Sequence, residues 1–125
     1  NAQGPAQAPV HARWKKTWGA IASDRDSPWI GTSTGHANQR AAVREAVGKC
    51  EAKGGRACEV RLTYENQCVV IAEPEGEDGP MRIVYRSGPT IENARAQALP
   101  DCATENGGRR CALLYSNCTT PVLVK

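Results

Sequence analysis

The sequence has few of the residues that enlarge a hydrophobic core. Its 125 residues include no phenylalanine, three tryptophans, three tyrosines and one methionine, so we expect a modest core. Apolar runs are short, and none reaches the roughly 18 residues that a membrane-spanning helix needs. The length fits one domain, or two small halves that share a core.

Histidine is also scarce, since His11 and His36 are the only two. A Ser-His site needs an acidic partner and an oxyanion frame such as GxSxG, which is absent. The cysteines lack the CxxC spacing of a zinc site, and a net charge of +3 from mixed charges does not indicate a nucleic-acid binder. We therefore expect no catalytic residues, no metal, no cofactor and no nucleic-acid partner.

Cysteine is the residue in which the sequence is rich. Six cysteines in a short chain are typical of a disulfide-stabilised protein outside the cytoplasm. The chain begins at Asn1 without methionine, and the next residues are rich in Ala, Gln and Pro. We expect residues 1–13 to be a flexible leader left by removal of a secretory signal peptide. A trimmed cytosolic protein is the alternative.

The chain contains an internal repeat. The segment GGRAC at Gly54–Cys58 recurs as GGRRC at Gly107–Cys111. An alanine-rich amphipathic stretch precedes each copy and ends in Cys50 or Cys102. Because cysteine position, turn residues and periodicity recur in one order, we expect two related halves, about 14–67 and 68–125, in a single domain 14–125.

Each half is predicted to run strand, strand, helix, Gly-Gly turn, strand. The predicted fold is α+β: duplicated ββαβ units forming one mostly antiparallel sheet, with both helices on one face. Thr90 is a candidate N-cap, Gly54 a candidate C-terminal cap, and Pro100 is expected to kink or break the second helix. Trp18 and Ile21 are assigned to the core and Trp14 to its edge.

Six cysteines allow 15 pairings, and the repeat selects among them. Cys50 with Cys58, and Cys102 with Cys111, each flank a Gly-Gly reversal that brings their Cα atoms within disulfide range. Cys68 and Cys118 remain. As symmetry mates they are predicted to pair at the axis and to join the halves.

Several loop residues are candidates for contacting a protein partner. The candidate regions are 24–29, 34–38 and the acidic loop at 73–78. Trp29 is a candidate interface anchor, although it equally fits the start of a strand that caps the core. A solvated hairpin explains the acidic loop, and solubility explains the arginines. The candidate residues are Trp29, Asp24, Asp26, His36, Glu75, Glu77, Asp78, Arg109 and Arg110.

The motifs resemble a known family. The order WGAIA, a helix ending in cysteine, GGxxC and YxNQC, with YSNCTTPV at the end, is similar to the bacterial secreted domain of unknown function 4189 family. The resemblance covers Trp14 to the C-terminus. It supplies no catalytic residues. Similar small periplasmic proteins act as immunity proteins beside toxic effectors of secretion systems, and the resemblance implies that role here.

Two functions follow as expectations. The first is a periplasmic or secreted protein-binding module, most concretely an immunity protein that occludes a toxin, and therefore not an enzyme. The second is a small secreted effector or enzyme acting on cell-wall or host material. An enzyme requires a cleft lined by carboxylates, and the oligomeric state is left open.

Overall fold

Two units of similar order make up most of the molecule. The computed structural model describes residues 13–76 and 81–124. The first unit is a strand, a strand, a helix and a strand: β2 (Trp18–Asp24), β3 (Ile30–His36), α1 (Gln39–Ala52) and β4 (Cys58–Glu65). The second repeats that order: β5 (Cys68–Pro74), β6 (Val84–Gly88), α2 (Ile91–Glu105) and β7 (Cys111–Cys118). The α+β class and the two ββαβ-like halves are confirmed.

The strands form three small antiparallel sheets, so the prediction of a single sheet is wrong. The first sheet has the order β3-β2-β4 and the second the order β6-β5-β7. The third is a two-stranded ribbon of β1 (Arg13–Lys15) and β8 (Val122–Val124). The first strand of each unit is therefore central, with its two successors on either side.

The helices lie on the outer faces of the two sheets, so placing both on one face is also wrong. α1 buries Ala42 and Ala46 against Ala20 and Ala22 of β2. Ile21, on the other face of β2, packs against the second sheet. Because successive residues of a strand point to opposite faces, the layers run α1, first sheet, second sheet, α2.

The second unit repeats this packing. Ala94 and Ala98 of α2 contact Val70 and Ala72 of β5, while Ile71 faces the first sheet. The physical reason for the four layers is that β2 and β5 are apolar on both faces and almost wholly buried. One sheet with helices on one side would leave half of those residues in water.

The helix ends follow the local chemistry. Asn38 and Thr90 cap α1 and α2, each accepting a hydrogen bond from the backbone N–H three residues later; the Thr90 prediction is confirmed. Gly54 follows α1 with a φ of +113°, as a C-terminal glycine allows. α2 continues through Pro100 to Glu105, so the predicted early break is wrong. The carbonyl that loses a donor is that of Ala96, on the exposed face.

Disulfides join Cys50 to Cys58, Cys102 to Cys111 and Cys68 to Cys118, which are the pairs derived from the repeat. The two local bonds have Cα–Cα distances of 6.1 and 6.2 Å. The third does not join the halves: Cys68 opens β5 and Cys118 closes β7, directly opposite one another in the second sheet. The prediction of a bond at the symmetry axis is therefore wrong.

The outcomes for the remaining fold predictions are mixed. Ile21 is fully buried and Trp18 packs against the core beneath α1. Trp14 lies in the ribbon with 67% of its surface exposed, so it does not pack at the core edge. Residues 1–12 of the predicted leader lie outside the described residues, and Arg13 begins β1.

Candidate functional site: a cleft between the two sheets

A cleft of about 710 Å³ opens where the first and second sheets meet. Both units contribute to it: the segment after β2, the residues before β6, and one side chain from each of β4 and β7. The described lining residues are Ser23, Asp24, Arg25, Asp26, Ser27, Pro28, Ile30, Arg61, Glu73, Met81, Arg82, Ile83, Tyr85, Glu105 and Leu114.

Matching β-bulges aim one side chain of each unit into the cleft. Between β2 and β4 the register shifts so that Arg61 has no residue opposite it. Between β5 and β7 the equivalent shift leaves Leu114 without an opposite residue. A bulge bends its strand and redirects a side chain, and bulges are common beside functional sites. The duplicated fold therefore places a guanidinium and an apolar side chain at equivalent positions of one cleft.

A polar network joins the two sheets at the cleft wall. Arg61 Nε donates to Ser23 Oγ at 2.6 Å, and the Tyr85 hydroxyl donates to the same oxygen at 3.2 Å. Arg61 Nη2 also lies 3.3 Å from Glu59 Oε1. Since Ser23 belongs to β2 and Tyr85 to β6, these contacts fix the sheets relative to each other.

Asp24 anchors the loop that forms one rim. Its carboxylate accepts hydrogen bonds from the Ser27 hydroxyl and, at 2.7 Å, from the Ala57 backbone N–H. The Ser27 hydrogen bond, partly opposed by burial, lowers the pKa of Asp24. Asp24 therefore stays ionised, which is the opposite of what a general acid needs. Asp26 is exposed on the same loop, with its carboxylate 3.7 Å from Arg25.

Asn106 holds the opposite rim. This nearly buried side chain accepts from the Arg82 N–H at 2.8 Å, and its amide donates to the Arg82 carbonyl at 2.9 Å. It also donates to the Cys102 carbonyl at 2.8 Å. Residues 81–83 are thereby fastened to the end of α2, which presents Met81 and Arg82 at the mouth of the cleft.

Trp29 and His36 lie outside this cleft. Trp29 immediately precedes β3, 42% exposed, with its indole near the Gly54 turn. His36 ends β3, at the end of the strand away from the cleft, and its Nε2 lies 2.7 Å from Glu45 Oε1. That hydrogen bond lowers the pKa of Glu45. The predicted contact region 34–38 is therefore separate from region 24–29.

Glu75, Arg109 and Arg110 meet at a shallow depression of about 450 Å³. Arg109 Nη2 donates to the carbonyls of Glu75 and Gly76 at 3.0 and 2.9 Å, and the Glu75 N–H donates to the Arg110 carbonyl at 2.8 Å. These contacts connect the Gly-Gly turn to the end of β5. Glu77 and Asp78 lie outside the described residues.

The cleft provides charge and hydrogen bonds without the groups of a recognisable metal or nucleophile site. No histidine or cysteine is among its described lining residues. Within 13–76 and 81–124, no three His, Cys, Asp or Glu side chains could hold a metal ion. The helices in those ranges are likewise too short or too polar to cross a membrane.

Arg61, Leu114 and Tyr85 were not among the site residues expected from the sequence. Aligning the GGxxC copies places Arg61 of VRLTY opposite Leu114 of ALLYS, so the equivalence was visible. The bulges that turn both side chains into one cleft were not, because they arise from strand pairing.

The comparison with protein families identifies one match. Residues 18–118 match the family described as a domain of unknown function, DUF4189. No curated protein and no solved structure matches the chain detectably.

Proposed function

The chain belongs to the DUF4189 family, whose description names no activity, and we propose from its cleft that it is a protein-binding module acting outside the cytoplasm. Three disulfides support the compartment, because such bonds persist where the environment is oxidising. In its finer form, this part of the proposal places the protein in the bacterial periplasm or among secreted proteins.

The observation that carries the proposal is the pair of bulge residues, Arg61 and Leu114, in one cleft. Arginine is enriched at protein interfaces, and an apolar side chain beside it offers a partner both charge and contact area. Leu114 and Met81 are large apolar residues that remain about half exposed. Their exposure at a polar rim is typical of a surface that a partner covers.

The rim carries charges of both signs. Arg25 and Arg82 lie near Asp26, Glu73 and Glu105 around the opening. Such a mixture suits a polypeptide segment with its own polar and apolar groups, since complementary charges set register and orientation. The disulfides and Asn106 hold both rims in place before binding, which reduces the entropy cost of association.

In its finer form, the proposal is that the partner is a toxic effector and this protein is its immunity protein. The cleft would then take a segment of the toxin, and the body of the module would occlude the toxin's active site. Residues Asp24 and Asp26 belong to this surface, whereas His36, Trp29, Glu75, Arg109 and Arg110 do not line it.

The test uses the product of the neighbouring gene, expressed in the periplasm of a heterologous host, where a toxin arrests growth. Co-expression of this protein should restore growth, and Leu114→Asp should abolish the protection because it places a charge in the apolar contact. Ala96→Asp, on the exposed face of α2, is the matched control and should protect. The proposal fails if Leu114→Asp protects as well as the wild type, or if the wild type gives no protection.

One observation favours the enzyme as a second candidate. The cleft is concave and lined by the carboxylates Asp26, Glu73 and Glu105, which glycoside hydrolysis uses in pairs. Release of soluble fragments from purified peptidoglycan by the wild type, abolished by Glu73→Gln or Glu105→Gln, would support it. Equal release by the wild type and both variants would exclude catalysis by these carboxylates.

A further inference from the structure

The ribbon of β1 and β8 is exposed on both faces. Trp14 lies directly opposite Leu123, so these side chains share one face, while Arg13 and Lys15 face Val124 and Val122 on the other. Trp14 is 67% exposed, Val122 49% and Leu123 38%. A two-stranded ribbon is marginally stable by itself in water. Its exposed apolar groups are therefore available for contact with a partner surface.

The charge on the ribbon has one sign. The sequences RWKK at 13–16 and TTPVLV at 119–124 contain no acidic residue. Lys16 pairs with Glu65 of β4 at 3.2 Å, and among the described contacts neither Arg13 nor Lys15 has an acidic partner. The ribbon thus exposes Trp14 and Leu123 on one face, and on the other it carries two cations, Arg13 and Lys15, that nothing on the ribbon neutralises.

We propose that this ribbon docks on an anionic phospholipid bilayer. Tryptophan favours the boundary between headgroups and acyl chains because its ring is apolar while its N–H still finds a partner. Arg13 and Lys15 lie on the other face of the ribbon, and their long stems let the charges reach past its edge to the lipid phosphates. Each basic residue near an anionic surface adds attraction, and Trp14 and Leu123 add apolar burial.

The same charges disfavour a second copy as the occupant. The ribbon contains no acidic residue, so a second copy of it offers no acidic partner to Arg13 or Lys15, whichever face it covers. An anionic bilayer neutralises both residues. The ribbon is also separate from the cleft, because no residue of the ribbon is among the described residues that line the cleft.

The experiment is co-sedimentation of the full chain with vesicles at low ionic strength. One set contains equal parts phosphatidylglycerol and phosphatidylcholine, and the other phosphatidylcholine alone. The wild type should bind the anionic set, bind the neutral set more weakly and detach in high salt. Trp14→Ser should weaken binding roughly tenfold through lost apolar burial, and Lys15→Glu should weaken it by about tenfold or more.

Controls separate this proposal from the proposed function. Trp29→Ser removes a half-exposed tryptophan outside the ribbon, and Leu114→Asp alters the cleft. Both should bind vesicles like the wild type, and an unchanged circular dichroism melt verifies that Trp14→Ser is folded. The proposal is overturned if the wild type ignores anionic vesicles, binds neutral ones equally, or loses nothing in Trp14→Ser. Dimerisation by analytical ultracentrifugation that Trp14→Ser abolishes would also overturn it.

Discussion

The two ββαβ units share a scaffold and differ at the cleft between them and at their surfaces. Both have the same strand order, an alanine stripe beneath the helix, a disulfide from the helix end to the next strand, and a bulge in the last strand. These common features bury the core. What differs is the residue at the bulge, Arg61 in one unit and Leu114 in the other.

Cross-linking of the central strand is a second difference. In the second unit Cys68 and Cys118 bond across β5 and β7. The equivalent positions in the first unit, the first residue of β2 and the last of β4, are Trp18 and Glu65. The first unit therefore closes its sheet with hydrogen bonds and packing, while the second closes it covalently.

The largest effect should come from removing that extra bond. In the chain-entropy model, Cys68→Ala with Cys118→Ala opens a loop with a sequence separation of 50 and lowers the free energy of unfolding by about 4 kcal/mol. Removing either local bond, with separations of 8 and 9, should cost about 2.5 kcal/mol. Urea denaturation of the three double variants measures the loss in unfolding free energy for each bond and so ranks them. A local bond that costs more than Cys68–Cys118 would show that strain or packing outweighs chain entropy.

The two units also differ at the contact between each helix and the edge strand beneath it. Gly31 of β3 lies opposite Ala22, and Val84 of β6 holds the equivalent position opposite Ala72. A Cβ on Gly31 would lie 1.9 Å from the Ala46 carbonyl oxygen, so α1 lies close to its edge strand. In the second unit the valine fills the corresponding space.

Gly31→Ala should therefore destabilise the protein by about 3 kcal/mol, because the new methyl meets helix backbone that cannot move without shifting α1. Val84→Ala is the matched change in the second unit, and it should cost about 2 kcal/mol by leaving a small cavity. Thermal unfolding with the same probe compares them. If Gly31→Ala is neutral, the close approach of α1 does not constrain this strand.

Particular residues show what the sequence could and could not predict. The alanine stripes, the Thr90 cap and the GGxxC turns are local patterns, and each led to the correct helix, cap or disulfide. Ile21 was correctly assigned to the core, but the single sheet was wrong because an apolar residue does not indicate which layer covers it. The Cys68–Cys118 pairing was predicted correctly, but for the wrong reason. Cys68 opens the second unit, so the bond lies within that unit and does not join the two.

The candidate site was less predictable than the fold for the same reason. Asp24 and Asp26 were identified as charged residues of a loop that could contact a partner, and they line the cleft. Arg61 and Leu114 enter it only because each bulge adds one residue to its strand. The side of the sheet on which such a residue emerges depends on pairing with a strand about 40 residues away in the sequence. The local sequence pattern therefore does not reveal it.

Acid sensitivity should give the smallest difference between the units. Asp24 ends β2 in the first unit, and Pro74 ends β5 in the second, so only the first has a carboxylate there. The Ser27 and Ala57 hydrogen bonds lower the pKa of Asp24 below that of an ordinary aspartate. A group with a lowered pKa in the folded state adds stability that is fully present above the unfolded pKa. That stability is lost as the pH falls through the folded pKa.

Below about pH 4, the wild type should therefore lose the stability that the charged Asp24 side chain adds. Asp24→Asn lacks that stability at every pH. The two curves of unfolding free energy against pH should converge as the pH falls through the folded pKa of Asp24. Asp26→Asn is the control, because its exposed carboxylate pairs only with Arg25 at 3.7 Å among the described contacts. Hydrogen exchange at the Ala57 amide gives a local readout, and it should accelerate in acid for the wild type. If exchange at Ala57 does not depend on pH in this range beyond the intrinsic chemical rate, Asp24 does not hold the loop through its charge.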